Sequence, residues 1–152
     1  MGDRQMKWAK TVAKGILGHR PASLQVAALC LRVRDGKTQV LLITSRDTGR
    51  WVLPKGWPMR GRSLSGAAQQ EAWEEAGARG LVEKEPIGDF HYDKILDSGL
   101  AVPTDVIVFL LRVEQLEKTY PEVGQRKRKW FAPKEAAGLV AEEGLQKILR
   151  NL

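Results

Sequence analysis

Cysteine is all but missing from this chain of 152 residues. Cys30 stands alone, so no internal disulfide can form and a disulfide-stapled scaffold is excluded. It lies in the apolar run Val26-Ala27-Ala28-Leu29-Cys30-Leu31, which predicts a small buried core residue. A lone thiol points to a reducing compartment, and the cytoplasm is the expected location. Long hydrophobic runs are also missing. Nothing approaches the ~18–20 apolar residues of a membrane span, so a soluble protein without a membrane span is expected. The basic N-terminal stretch lacks an apolar h-region and a small-residue cleavage site, so it does not read as a secretory signal. Internal repeats and low-complexity tracts are absent as well. With 43% hydrophobic and 28% charged residues, a disordered or collagen-like chain is excluded. The length fits one domain, since domains usually run to roughly 100–200 residues.

Positive charge is in excess. Lys and Arg number 25 against 18 Asp and Glu, a net +7 at pH 7. That surplus favours an anionic partner: nucleic acid, a lipid surface or a phosphorylated small molecule. Residues 1–20 form a segment apart. Met6, Ala9, Val12, Ala13, Ile16 and Leu17 recur at helical spacing, with Lys7, Lys10 and Lys14 opposite. This predicts a basic amphipathic extension, frayed or packed on its own domain or a neighbour, with a helix lying on a membrane surface as the alternative; a homodimer stays open. Pro21 ends it.

From Leu24 the pattern changes to strands. Gln25 to Val33 and Thr38 to Thr44 flank Asp35-Gly36, a hairpin signal. Trp51 to Leu53 is a short strand stopped by Pro54. After a basic, glycine-containing loop from Lys55 to Arg62, Leu64 to Ala76 reads as a helix, with Ser63 or Ser65 as cap and Gly77 as stop. Gly80 to Tyr92 reads as one strand with an irregularity at Pro86, continued at Lys94 to Leu96. Val102 to Val113 is a buried strand, Glu114 to Gln125 a polar loop, and Arg126 to Phe131 a basic-aromatic strand. A helical region from Pro133 to Leu152 is interrupted near Gly138 and Gly144. Strands before, between and after helices predict an α/β fold with a mixed sheet between helices.

The helix Leu64 to Ala76 carries the chemistry. Leu64, Ala67, Ala68, Glu71 and Glu75 share a stripe, with Glu74 to one side. Glu71 repels Glu74 and Glu75 at i,i+3 and i,i+4, and all three occupy the helix end where the dipole disfavours acids. Each effect costs about a few tenths of a kcal/mol. No basic residue within the helix offsets them. A hard divalent cation, Mg²⁺ or Mn²⁺, would; pairing of an exposed acidic end with the nearby basic loop is the alternative. Lys55, Arg60 and Arg62 precede the helix, with Gly56 and Gly61 permitting close backbone approach. An acidic face beside a basic loop suits a polyphosphate.

These residues resemble the Nudix hydrolase family, whose motif is G-x5-E-x7-R-E-U-x-E-E-x-G-U with U apolar. The stretch GWPMRGRSLSGAAQQEAWEEAGA matches it in register at Gly56, Glu71, Ala72, Glu74, Glu75, Gly77 and Ala78. Arg62 stands where the motif has its first acid, and Gln70 where it has arginine. Trp51 to Gly56, Glu71 to Gly77 and Arg126 to Phe131 are similar to the diphosphoinositol polyphosphate and diadenosine polyphosphate phosphohydrolase branch. The resemblance implies a Nudix domain over residues 21–152, a Nudix-type α/β/α sandwich, and Mg²⁺-dependent hydrolysis of a P–O–P linkage in an anionic small-molecule diphosphate. It implies Glu71, Glu74 and Glu75 as metal ligands, with Glu74 and Glu75 as catalytic residues. Lys55, Gly56, Arg60, Arg62, Arg126 and Arg128 become candidates for phosphate binding. Asp93, Asp97 or Glu122 are alternatives to Glu74 as general base, and His91 is a candidate contact that more often proves structural. Two other functions stay open: a nucleotide or RNA-cap pyrophosphatase, and a catalytically weak module that binds nucleotide or nucleic acid.

Overall fold

The computed structural model describes residues 23–152. The expected amphipathic extension over residues 1–20 and the boundary at Pro21 lie outside the described residues. Strands β1 (Ser23–Arg34) and β2 (Lys37–Thr44) form the expected hairpin. Asp35 and Gly36 both have positive φ, 52° and 75°. A tight turn matched to strand twist demands this, and Asp-Gly accepts it. Two short strands follow, β3 (Trp51–Val52) and β4 (Lys55–Gly56), then helix α1 (Leu64–Ala76). Next come β5 (Ala78–Val82), β6 (Gly88–Ile95), β7 (Ala101–Leu116) and β8 (Arg128–Phe131). Helices α2 (Pro133–Leu139) and α3 (Glu143–Arg150) end the chain.

The sheet is mixed. β1 runs parallel to β7 from Ser23↔Thr104 to Leu31↔Arg112, and the other described pairings are antiparallel. Along its other edge β1 changes partner, from β2 at Leu31–Arg34 to β4 at Val26 and Ala27. That change lays Lys55 and Gly56 directly on β1. Alternation along β1 and β7 separates two cores. Val26, Ala28, Cys30, Ile107, Phe109 and Leu111 face α1. Ala27, Leu29, Val106 and Val108 face α2 and α3. A sheet apolar on both faces must be covered on both, and the result is the expected α/β/α sandwich. Cys30 is fully buried, and burial pushes its thiol up to about 12.

Several boundaries differ from expectation: β4 lies in the expected loop, β5 starts two residues early, and β7 runs on to Leu116. The single strand from Gly80 to Tyr92 is two, β5 and β6, parted at residues 83–87 around Pro86, and each pairs with a different stretch of β7. β8 begins at Arg128, two residues late. The C-terminal helices part at residues 140–142 rather than at a glycine. Gly144 lies inside α3, where a Cβ would come within 2.8 Å of Phe90 Cβ.

Candidate active site

Helix α1 delivers its acids by local rules. Ser63 Oγ accepts from the Gly66 N–H at 3.0 Å, fixing the start. Gly77, at φ 66°, turns the chain and donates back to the Trp73 carbonyl at 2.9 Å. Between these caps Ala67, Ala68, Ala72 and Ala76 are completely buried. Their small side chains bring the helix close to the sheet. Glu71 and Glu75, on the same side, therefore meet β4.

Glu75 is firmly held. Its Oε1 accepts from the Lys55 backbone N–H at 3.0 Å, and its Oε2 accepts from Arg126 Nη2 at 3.0 Å. The Glu75 and Arg126 side chains are only 11% and 9% exposed. The rest of the guanidinium is also occupied, with Nε donating to Glu122 Oε1 at 3.3 Å and Nη1 to the Thr44 carbonyl at 3.1 Å. Arg126 thus supplies from a distant segment the charge that α1 lacks. Burial raises the Glu75 pKa, and Arg126 and the Lys55 N–H oppose that rise.

Glu71 differs. Among the described residues none donates a hydrogen bond to it. Its carboxylate lies against Gly56 so closely that a Cβ there would overlap it. Burial, followed by the charges of Glu75, Glu74 and Glu122, pushes its pKa up to about 8. Glu74 points elsewhere: Oε1 accepts from Gln70 Nε2 at 3.0 Å, so Gln70 binds the neighbouring acid one turn on.

Glu71 and Glu75 line a cleft of about 340 Å³ with Lys55, Gly56, Glu122 and Arg126. Arg46, Trp57, Tyr92 and Lys94 complete much of its wall. Lys55 Nζ lies 5.1 Å from the Tyr92 ring centroid, and burial lowers its pKa. Sequence reasoning missed Arg46, Tyr92 and Lys94, which come from other strands and loops. Trp57 carried a signal, as an indole beside Gly56 in the basic loop. Arg60 and Arg62 are exposed on the loop before α1 and are not among the cleft residues. Arg128 is spent on structure, with Nη1 donating to the Ala76 carbonyl at 2.7 Å and its guanidinium over Tyr120. Asp97 is exposed in the β6–β7 turn, and Asp93 lines an adjoining lobe. His91 is exposed and paired with Asp105.

The donor chemistry fits a hard divalent cation: carboxylate oxygens, one carboxylate uncommitted, and a glycine that leaves room for it. As the side chains stand, no three potential ligands converge among the described residues. A cation would draw Glu71 and Glu75 together.

The NUDIX domain family matches residues 23–152. The chain belongs to the Nudix family. Nudix hydrolase 13, mitochondrial, of Arabidopsis thaliana is 32% identical over 122 residues, covering 77% of this chain and 60% of that protein. Diphosphoinositol polyphosphate phosphohydrolase 3-alpha of Mus musculus is 30% identical over 115 residues, covering 74% and 65%. The Nudix domain therefore spans about three-fifths of the length of the curated relatives it matches. A crystal structure of a Caenorhabditis elegans Ap4A hydrolase shares the fold with TM-score 0.61 at 18% identity, covering 85% of this chain and 94% of that one. A NUDIX hydrolase from Nitrosomonas europaea gives 0.65 at 19% identity, covering 86% and 87%. No helix among the described residues is long and apolar enough to cross a membrane.

Proposed function

We propose that this Nudix domain is a Mg²⁺- or Mn²⁺-dependent hydrolase that cleaves the diphosphate linkage of a highly anionic small molecule, such as a diadenosine polyphosphate or a diphosphoinositol polyphosphate. One observation carries it: Glu71, without a donor of its own, sits beside the anchored Glu75 in a cleft walled by Arg46, Lys55, Lys94 and Arg126. The mouse relative and the nematode fold neighbour bear names for enzymes acting on such compounds.

Glu71 and Glu75 would hold the cation, and Glu74, now bonded to Gln70, is the third candidate ligand. When bound, the cation supplies Lewis-acid polarisation of a phosphoryl oxygen and a more acidic water. The remaining work belongs to the chain. Arg126 and the Lys55 N–H fix the Glu75 carboxylate, which limits its reorganisation during reaction. Gly56 gives Glu71 its place. Lys55, Lys94 and Arg46 hold phosphate oxygens, and Lys55, desolvated above Tyr92, does so strongly. Glu122, bonded to Arg126 in the same cleft, is the best-placed alternative to Glu74 as base.

The test is phosphate release with Mg²⁺ from dinucleoside polyphosphates, nucleotides and inositol pyrophosphates. Glu71→Gln and Glu75→Gln each lower kcat by about a hundredfold or more, since several kcal/mol of charge stabilisation are at stake. Full activity in both variants overturns the reading. A second reading, a weakly catalytic binding module, draws on Gln70, which bonds Glu74 where the motif's arginine would stand. Salt-sensitive RNA binding without turnover would establish it. A reducing compartment remains the expectation for location; the plant relative's name carries a mitochondrial one, and a buried thiol suits either.

A further inference from the structure

The cleft has a second lobe, and its least satisfied group is Glu142. This residue precedes α3 in the N-cap position, yet its side chain makes no cap hydrogen bond. Its backbone carbonyl already accepts from the Gln146 N–H at 3.0 Å, so the helix starts without help from the carboxylate. Among the described residues Glu142 Oε2 is buried with no hydrogen-bond partner. A desolvated carboxylate oxygen left unpaired is costly, and native structures rarely keep one without a use. The neighbouring hydroxyl gives no relief, because Tyr92 donates to Gln25 Oε1 at 2.6 Å.

Glu142 lines this outer lobe with Arg50 and Asp93, and Asp47, Lys55, Tyr92 and Lys94 join it to the inner one. The two lobes differ in charge once the site is loaded. In the inner lobe Arg46, Lys55, Lys94 and Arg126 balance Asp47, Glu71, Glu75 and Glu122, and a divalent cation tips the sum to positive. In the outer lobe Arg50, Lys55 and Lys94 only balance Asp47, Asp93 and Glu142. A phosphomonoester carries about −1.5 to −2 at neutral pH. Several on one ring would find no net positive field there, and one placed at Glu142 would meet a carboxylate that Lys55 offsets only at longer range.

We propose that Glu142 determines specificity: its carboxylate, whose Oε2 is buried and unpaired without substrate, turns into the lobe to accept a hydrogen bond from a hydroxyl or amino group on the non-reacting part of the substrate, and its charge repels phosphate at that position. The substrate class is then a diphosphate whose remote part is uncharged and donor-bearing, such as a ribose or nucleobase, rather than a ring phosphorylated at every carbon. This rests on the hydrolase reading and narrows it.

The experiment uses the full chain with Mg²⁺, diadenosine tetraphosphate and a diphosphoinositol polyphosphate, for the parent, Glu142→Ala and Glu142→Gln. The parent has the lower KM for the dinucleotide. Glu142→Ala raises that KM about tenfold or more, the scale of one hydrogen bond to a charged group. Glu142→Gln, which keeps an acceptor and loses the charge, lowers the KM for the phosphorylated ring and spares the dinucleotide more than alanine does. Thermal melts confirm that both variants fold. An unchanged ratio of the two KM values in both variants overturns the assignment, as does a parent that prefers the phosphorylated ring. If the parent cleaves neither compound nor any other member of the wider panel, the hydrolase reading falls, and calorimetry with a methylene-bridged, non-cleavable dinucleotide decides on Glu142. Weaker binding by Glu142→Ala upholds its role, and equal binding removes it.

Discussion

On the α1 side the sheet meets Ala67, Ala68, Ala72 and Ala76; on the other it meets Val140, Leu145 and Leu149, with Phe90 from β6 closing the layer. The alanines contribute little area, whereas each buried leucine is worth about 1.5–3 kcal/mol. Stability therefore resides more in the α2–α3 face. The α1 face gains proximity instead: its backbone lies near the sheet, so the carboxylates of Glu71 and Glu75 reach β4. Directional bonds replace bulk there, from the Ser63 cap to Arg126 on Glu75 and Arg128 on the Ala76 carbonyl. One face is packed for stability and the other for position.

The sharpest way to break this contrast is to substitute on each face. Leu145→Ala, at a residue 1% exposed, should cost about 2–5 kcal/mol through the cavity it leaves. The loss appears as a lower Tm, with turnover per folded molecule preserved. Ala72→Leu should cost about 1–3 kcal/mol by overpacking and lift α1 from the sheet. Here activity below the melting range falls more than the folded fraction does. Equal activity losses in the two variants, at matched folded fraction, would erase the distinction.

Helix α1 was legible in the sequence because its determinants are local: Ser63, an alanine stripe and Gly77 lie within fifteen consecutive residues. The β1–β2 hairpin was legible for the same reason, through Asp35-Gly36. The division at Pro86 was legible only as an irregularity, since the pairing of β5 and β6 with separate parts of β7 decides that it is a full break. Gly144 misled because contact with Phe90, rather than flexibility, accounts for it. Glu71, Glu75, Lys55, Gly56 and Arg126 could be singled out from the sequence and do share the cleft. Arg60, Arg62 and Arg128 carry the same charge, yet the first two stand exposed outside the cleft and the third donates to the end of α1. Composition cannot tell a cation in a cleft from one on a helix terminus. Tyr92, Lys94 and Glu142 reach the cleft only through tertiary folding.

Gly56→Ala sharpens the contrast at the point where the two requirements meet. The added Cβ encounters the end of a side chain that can swing, not fixed backbone. Tm should therefore shift little, while activity drops about tenfold, or about 1.4 kcal/mol of barrier, because Glu71 is pushed from its place. A large drop in Tm with activity retained would mean that Gly56 serves the fold instead.

The smallest effect concerns the charge that position requires. Glu71 titrates near 4.5 when unfolded and is pushed up to about 8 in the folded protein. The folded state thus holds the proton more tightly between these values. The contribution of Glu71 to stability is complete below pH 4.5 and is lost as pH rises through 8. Glu71→Gln does not titrate, so without metal its Tm should match or trail the parent at pH 4.5 and exceed it increasingly towards pH 8. Because the side chain is partly open to solvent, screening reduces the gain to on the order of 1 kcal/mol. Thermal melts in EDTA at several pH values measure it. Added Mg²⁺ should narrow the gap by stabilising the parent more than the variant, which has lost one of the carboxylates that would hold the cation. A gap that is flat with pH would show that Glu71 is already solvated, and that α1 holds its acids no more tightly than an ordinary surface helix does.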